Sequence, residues 1–138
     1  MIRRYMLDTN TVSYIVSGRS VAARRTIAAL KQNEIGCLSA ITEGEIRYGL
    51  AKIPAGNLRR SAIHGFLSKL QVLPWGSDEA VIYGDLRARQ ERSGKTLGPL
   101  DMLIAAHAIA ADAILVTNDR AFRQVKELAG TVNWATDV

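Results

Sequence analysis

Four acidic residues, Asp8, Glu45, Asp101 and Asp119, sit where the chain lets them meet, and their chemistry limits what they can do together. Asp8 directly follows a short apolar segment, Arg4-Tyr5-Met6-Leu7. Asp119 follows another, Ile114-Leu115-Val116-Thr117, by two residues. Glu45 falls in the first turns of a helix that begins after a third segment, Ile35-Gly36-Cys37-Leu38, and Asp101 falls in the first turn of a helix that Pro99 opens. Two carboxylates about 4 Å apart repel by roughly 1 kcal/mol even in water, and by several times that near a protein surface. Four of them in one cleft are therefore no device for stability. A divalent cation reverses the sign. Mg²⁺ and Mn²⁺ prefer oxygen ligands, and Mg²⁺ takes one or two carboxylates directly while keeping several waters. The remaining acids hold such waters, one of which can become a nucleophile.

The rest of the charge suits a phosphodiester substrate. The chain carries 18 Lys+Arg against 13 Asp+Glu, a net charge of +5; residues 1–69 are net +7 and residues 70–138 net −2. With the four acids set aside, 18 basic residues face 9 acidic ones, an anionic hole in a cationic body. No acid lies between Glu45 and Asp78, where Arg47, Lys52, Arg59, Arg60 and Lys69 fall. That stretch reads either as a surface for a polyanion, drawn by charge and counterion release, or as a plain solvated helical face.

The elements that must position these residues follow from the apolar pattern. Short apolar strands are expected at 4–7, 35–39, 71–73, 114–117 and 131–134. Helices are expected from a Thr9 or Asn10 cap to about Val16, then over roughly 20–32, 41–52, 58–70, Ser77 (as cap) to Gly94, Pro99 to Ala111, and 120–129, with Gly130 ending the last. Strands alternating with helices imply an α/β/α sandwich around a mostly parallel sheet. In such sheets ligands bind outside the carboxyl ends of the strands, where Asp8, Glu45 and Asp119 should emerge. The helix carrying Asp101 could approach from either end, and the chain alone leaves that open. A length of 138 residues makes this one domain, 1–138, and 48% apolar with 22% charged residues excludes disorder and collagen-like repeats. The longest apolar run, Met102 to Ala111, is about half a membrane span, and the start has no apolar signal region. A single cysteine, Cys37, fits a reducing cytoplasm and reads as a small core residue.

At the acidic positions the sequence resembles a known family. Met6-Leu7-Asp8-Thr9-Asn10-Thr11, the segment Leu38 to Gly49 with Thr42-x-x-Glu45, Gly98-Pro99-Leu100-Asp101 through Ala108, and Leu115-Val116-Thr117-Asn118-Asp119-Arg120-Ala121-Phe122 look like the four motifs of PIN-domain ribonucleases. The chain is similar, more narrowly, to the VapC toxins of bacterial type II toxin–antitoxin modules. The resemblance implies a PIN-like fold and a metal-dependent endoribonuclease that binds Mg²⁺ or Mn²⁺ through Asp8, Glu45, Asp101 and Asp119. It also implies an RNA substrate, with tRNA among the candidates, a VapB-like antitoxin partner and a homodimer. Thr42-x-x-Glu45 selects Glu45 over Glu43, which reads as solvated or capping.

Other features have plainer readings. Thr9, Ser39 and Thr117 are turn and cap residues or else orient the carboxylates and metal-bound waters. His107, on an alanine-rich helix, reads as a packed core histidine, and His64 as exposed; neither has a nucleophile placed for a triad. Trp75, Trp134 and Tyr48 could stack on bases but sit where packing aromatics sit. Gly94-Lys95-Thr96 fails as a phosphate loop, because Arg89 stands where the first glycine is required. Two rival functions share some of these features. A haloacid-dehalogenase-like phosphatase with a nucleophilic Asp8 would normally carry a second Asp where this chain has Asn10. A non-catalytic RNA-binding module would gain nothing from four like charges.

Overall fold

The computed structural model describes residues 1–95 and 97–138, so the Gly94-Lys95-Thr96 reading falls partly outside the described residues. Among these residues five strands form one sheet, β1 (Arg3–Leu7), β2 (Glu34–Ser39), β3 (Gln71–Leu73), β4 (Ile114–Val116) and β5 (Thr131–Val132), in the order β3-β2-β1-β4-β5, and every pairing is parallel. Among the described residues six α-helices accompany it: α1 (Thr9–Ser17), α2 (Val21–Ala28), α3 (Ala40–Ala51), α4 (Leu58–Leu67), α5 (Ser77–Ser93) and α6 (Pro99–Ala110).

Side chains alternate across a strand, so neighbouring residues serve different layers. Met6, Cys37 and Leu115 face one core, built with Leu86 of α5 and Met102, Ile104 and Ala105 of α6. Leu7, Leu38 and Val116 face the other, built with Val12 and Ile15 of α1, Ala23 of α2, Ile46 and Leu50 of α3 and Leu67 of α4. Cys37 is one of these core residues, and burial pushes its thiol up to about 11.

Three expectations need correction. The helix expected over 120–129 is a short 3-10 helix, Arg120–Gln124. Phe122, Val125 and Leu128 recur every third residue, the period of a three-residue turn rather than of an α-helix, and Phe122 and Val125 are buried. Gly130, at φ 156°, therefore ends no helix; it leads into β5, which is two residues long. Helices α2 and α4 stop short of 32 and 70 because tight turns must return the chain to β2 and β3. The Glu34 carboxylate accepts from the Lys31 N–H at 2.9 Å, and the Ser68 hydroxyl donates to the Gly65 carbonyl at 2.7 Å. Two caps also move toward the N-terminus: Asp8, not Thr9 or Asn10, caps α1, and α5 begins at Ser77 with Gly76 before it, whose N–H donates to Glu79 at 2.8 Å.

Candidate active site

The strand order changes direction between β1 and β4, and in open parallel sheets this is where the connecting segments part to leave a crevice. Asp8 leaves β1 on one side of that point, and Thr117 to Asp119 leave β4 on the other. The two exits are tied together. The Asp8 N–H donates to the Val116 carbonyl at 3.0 Å, and the Thr11 hydroxyl donates to the same carbonyl at 3.2 Å.

Three of the four acids are held by local hydrogen bonds. Asp8 is buried, and its Oδ1 accepts from the Thr11 N–H at 2.8 Å as the cap of α1. Asp119 is exposed and repeats the device: its Oδ1 accepts from the Ala121 N–H at 2.9 Å, while its own N–H donates to the Thr117 hydroxyl at 3.0 Å. Ser39 starts α3 by accepting from the Ile41 N–H at 3.1 Å, which sends that helix away from the carboxyl end of β2 with Glu45 near its start. The Thr9 hydroxyl then donates to Glu45 Oε1 at 3.0 Å, linking the second acid to the residue beside the first. Glu43 instead pairs with Arg47 at 3.1 Å on the solvent side.

The placement of Asp101, open from sequence, is settled by chain length. Only three residues separate the end of α6 at Ala110 from β4 at Ile114, so α6 must finish at the amino edge of the sheet. A twelve-residue helix spans roughly 18 Å, which carries its first turn, with Asp101, back to the carboxyl edge. The electrostatics register the meeting. The Asp101 carboxyl is raised above the ordinary aspartate range, first by partial burial and then by the negative charges of Asp119, Glu45 and Asp8. All four acids thus share one field. Among the described residues, no three acidic, histidine or cysteine side chains are drawn tightly enough to cage an ion as they stand. Mutual repulsion keeps bare carboxylates apart, and an all-oxygen set contributing one or two direct ligands is what a hydrated Mg²⁺ takes. The residues present fit such an ion.

The neighbouring polar residues fall into place around this cluster. His107 is buried, its Nδ1 lies 2.8 Å from the Ser39 hydroxyl, and burial lowers its pKa with only partial opposition from Glu79. Ser39 already accepts from Ile41, so its hydroxyl proton is best donated to a neutral His107; the pair packs α6 against the start of α3 and adds no base to the site. His64 is exposed. The Trp75 indole donates to the Leu103 carbonyl at 3.1 Å, and Trp134 is buried against Tyr5 with ring centroids 5.4 Å apart, so both are packing residues. Tyr48 is exposed with the Lys52 ammonium 4.5 Å from its ring centroid.

Two depressions meet the acids. A groove of about 230 Å³ between α1, α3 and α4 is lined mainly by Val12, Val16, Ile46, Leu50, Ile53 and Ile63 and reaches the site at Thr9 and Glu45. A polar cleft of about 310 Å³ beyond β4 and β5 reaches it at Asp119 and holds Arg120 and Arg123. The sequence leaves the 47–69 stretch open between a polyanion surface and a solvated face, and it gives Arg123 no role and Arg120 none beyond its place in the fourth motif. The available signal was their position immediately after the fourth acid.

Comparison with known proteins agrees with this geometry. The PIN domain family matches residues 5–128. Ribonuclease VapC2 of Rickettsia felis is 34% identical over 131 residues, covering 94% of this chain and 97% of the relative. The tRNA(fMet)-specific endonuclease VapC of Shigella flexneri is 33% identical over 133 residues, covering 96% and 98%. The crystal structure of VapBC2 from Rickettsia felis, bound to a DNA fragment from its promoter, superposes with a TM-score of 0.87 at 33% identity, covering 95% of this chain and 98% of that one. Neither the phosphatase nor the non-catalytic reading finds support in these relatives. An acidic crevice at the β1/β4 switch point, four motifs in order and near-complete coverage agree: the chain belongs to the PIN-domain family and, within it, to the VapC ribonucleases.

Proposed function

We propose that the protein is a Mg²⁺-dependent endoribonuclease, Mn²⁺ being an alternative ion, and that it acts as the toxin of a toxin–antitoxin pair. The observation that carries the reading is the convergence of the four acids on the β1/β4 switch point: Asp8 and Asp119 leave the two strands there, Thr9 ties Glu45 to the same edge, and α6 returns Asp101 to it. A divalent cation, when bound, polarises the scissile phosphate and acidifies a water. The protein's part is positioning. Asp8 and Asp101 are the assigned direct ligands, and Glu45 and Asp119 complete the site through direct or water-mediated contacts. The Thr11 N–H, the Thr9 hydroxyl and the Ala121 N–H hold Asp8, Glu45 and Asp119 before any ion arrives, which limits the ordering that binding requires.

RNA is the substrate in this reading, and the relatives whose names specify tRNA(fMet) make tRNA the first candidate. The apolar groove fits a helical segment of a VapB-like antitoxin laid between α1, α3 and α4. An Arg or Lys from that segment would reach Glu45 at the groove's end and neutralise the acids in place of the cation. A homodimer would let a paired antitoxin engage two copies symmetrically. No helix among the described residues is long and apolar enough to cross a membrane. The test is cleavage of purified tRNA and unstructured RNA with Mg²⁺ and with EDTA, followed by sequencing of RNA 5′ ends after brief induction in cells. Full cleavage in EDTA would sink the metal reading, and loss of toxicity on co-expression of a neighbouring antitoxin gene is expected.

A further inference from the structure

The polar cleft beyond β4 and β5 has no role in holding the fold that accounts for its two arginines. Arg120 and Arg123 are exposed on the 3-10 helix that Asp119 caps, and neither forms an ion pair among the described residues. Of the five cations of the 47–69 stretch, three are occupied, while Arg59 lines the apolar groove and Lys69 is exposed. Arg47 is paired with Glu43, Lys52 sits over Tyr48, and Arg60 donates to the Ile53 carbonyl at 3.0 Å. Around the two arginines the cleft offers further donors. Thr131 is exposed, and Asn133 uses its Oδ1 to accept from the Ala135 N–H at 2.9 Å, which leaves its amide N–H groups for a ligand. Two guanidinium forks, a hydroxyl and an amide, with few apolar neighbours, make a recognition surface for phosphate oxygens. Its one acidic lining side chain, Asp119, belongs to the candidate metal site, so a phosphate held here lies next to the reacting one.

We propose that Arg120 and Arg123 bind an RNA backbone phosphate adjacent to the scissile one, so that the substrate strand passes from the acids into the β4–β5 cleft. This rests on the ribonuclease reading. It gives the strand a path on the side of the switch point away from the apolar groove.

The test is the double substitution Arg120→Gln with Arg123→Gln. A fluorescently labelled single-stranded RNA 12-mer is titrated in EDTA over a range of salt, and KM and kcat are measured separately with Mg²⁺. Loss of two phosphate contacts should lower the steepness of log affinity against log salt by about 1.4 and weaken binding roughly ten- to thirtyfold at 0.1 M salt. KM should rise with kcat within about twofold, and Arg120→Lys with Arg123→Lys should keep the salt slope, because the charge stays. A control that removes two exposed cations outside the cleft lining, Arg25→Gln with Lys31→Gln, should change neither. An unchanged slope and KM in the Gln variant, an equal loss in the control, or a fall in kcat alone would overturn the proposal. If the unaltered protein neither binds nor cuts RNA with Mg²⁺ present, the ribonuclease reading itself has failed; if it cuts and the Gln variant matches it, only the cleft assignment has.

Discussion

The apolar groove and the polar cleft reach the acidic site from the two sides of the switch point, one at Glu45 and the other at Asp119, yet they are built from different parts of the sequence. Three amphipathic helices, α1, α3 and α4, make the groove by presenting Val, Ile and Leu side chains that the sheet does not fully cover. The cleft is made by two strand exits and a 3-10 turn, where backbone direction changes too sharply for an apolar stripe to form. An apolar groove gains from desolvation and holds a folded peptide segment. A polar, arginine-bearing cleft gains from charge and counterion release and holds a phosphate backbone. One catalytic centre can then serve two macromolecules that meet it from different sides.

The largest effect should come from the centre both regions share. Asp8→Asn or Asp101→Asn should reduce RNA cleavage at least about a hundredfold. Each variant should melt at the same temperature as the parent or slightly higher, since it removes repulsion from the ion-free site. Asp119→Asn should lose less, because that side chain is exposed and closest to the cleft. A cleavage assay with Mg²⁺ beside a thermal melt separates these outcomes, and full activity in the Asp8 or Asp101 variant would leave the comparison without its hinge.

Next in size is damage to the groove alone. Ala62→Asp places an unpaired carboxylate on an exposed position of the groove lining, where a docked helix would have to desolvate it. Co-purification with the antitoxin should fall more than about tenfold, with RNA cleavage within twofold of the parent. Equal loss of both activities would show that the two surfaces are not separate. Smaller still is the effect expected at 59–69. Arg59→Gln with Arg60→Gln and Lys69→Gln removes three charges, but Arg60 serves a carbonyl and Arg59 lines the groove. RNA salt slopes should therefore change less than in the cleft variant. A larger change would move the strand's path onto α4 and restore the solvent-facing basic stretch as the RNA surface.

The smallest effect concerns pH. The Asp101 carboxyl titrates above its unfolded value of about 3.8, so between these two values the folded state holds the extra proton. Stability from this group is consequently greatest below that window and falls as pH rises through it. Cation binding runs the other way, needing the carboxylate, so the Mg²⁺ concentration for half-maximal cleavage should increase as pH drops into the window. Replacing Asp119 with Asn removes the strongest of the neighbouring charges on Asp101 and should shift that acid limb to lower pH. A limb that does not move would mean burial alone sets the Asp101 titration.

How much of this was legible beforehand depended on the kind of signal. Strand β3 reads directly off Gln71-Val72-Leu73, and α6 off Pro99 and its apolar run, because each is a local pattern with a clear start. Asp8 and Asp119 could be placed at the carboxyl edge because each follows a strand. Asp101 could not, since its position depends on how a helix of known length must return to β4. The 3-10 helix was misread because spacing by threes resembles helical spacing over a short window. Net charge marks long basic stretches and not the pair Arg120 and Arg123, which only the ends of β4 and β5 bring into one cleft with Asp119. The Asp8 cap was hidden in plain view: an aspartate three residues before Thr11 satisfies the cap pattern as well as Thr9 or Asn10 does.

Each central strand feeds both layers, Met6 to one and Leu7 to the other, Leu115 to one and Val116 to the other. Peeling the helices from either face therefore strips contacts from a strand that the opposite face also needs. The protein should lack a stable half-unfolded form: its slowest-exchanging amides, in β1, β2 and β4, should open together and at the free energy of complete unfolding. A cell that degrades this chain meets it either intact or wholly open, with no partially folded fragment still able to hold the four acids in register.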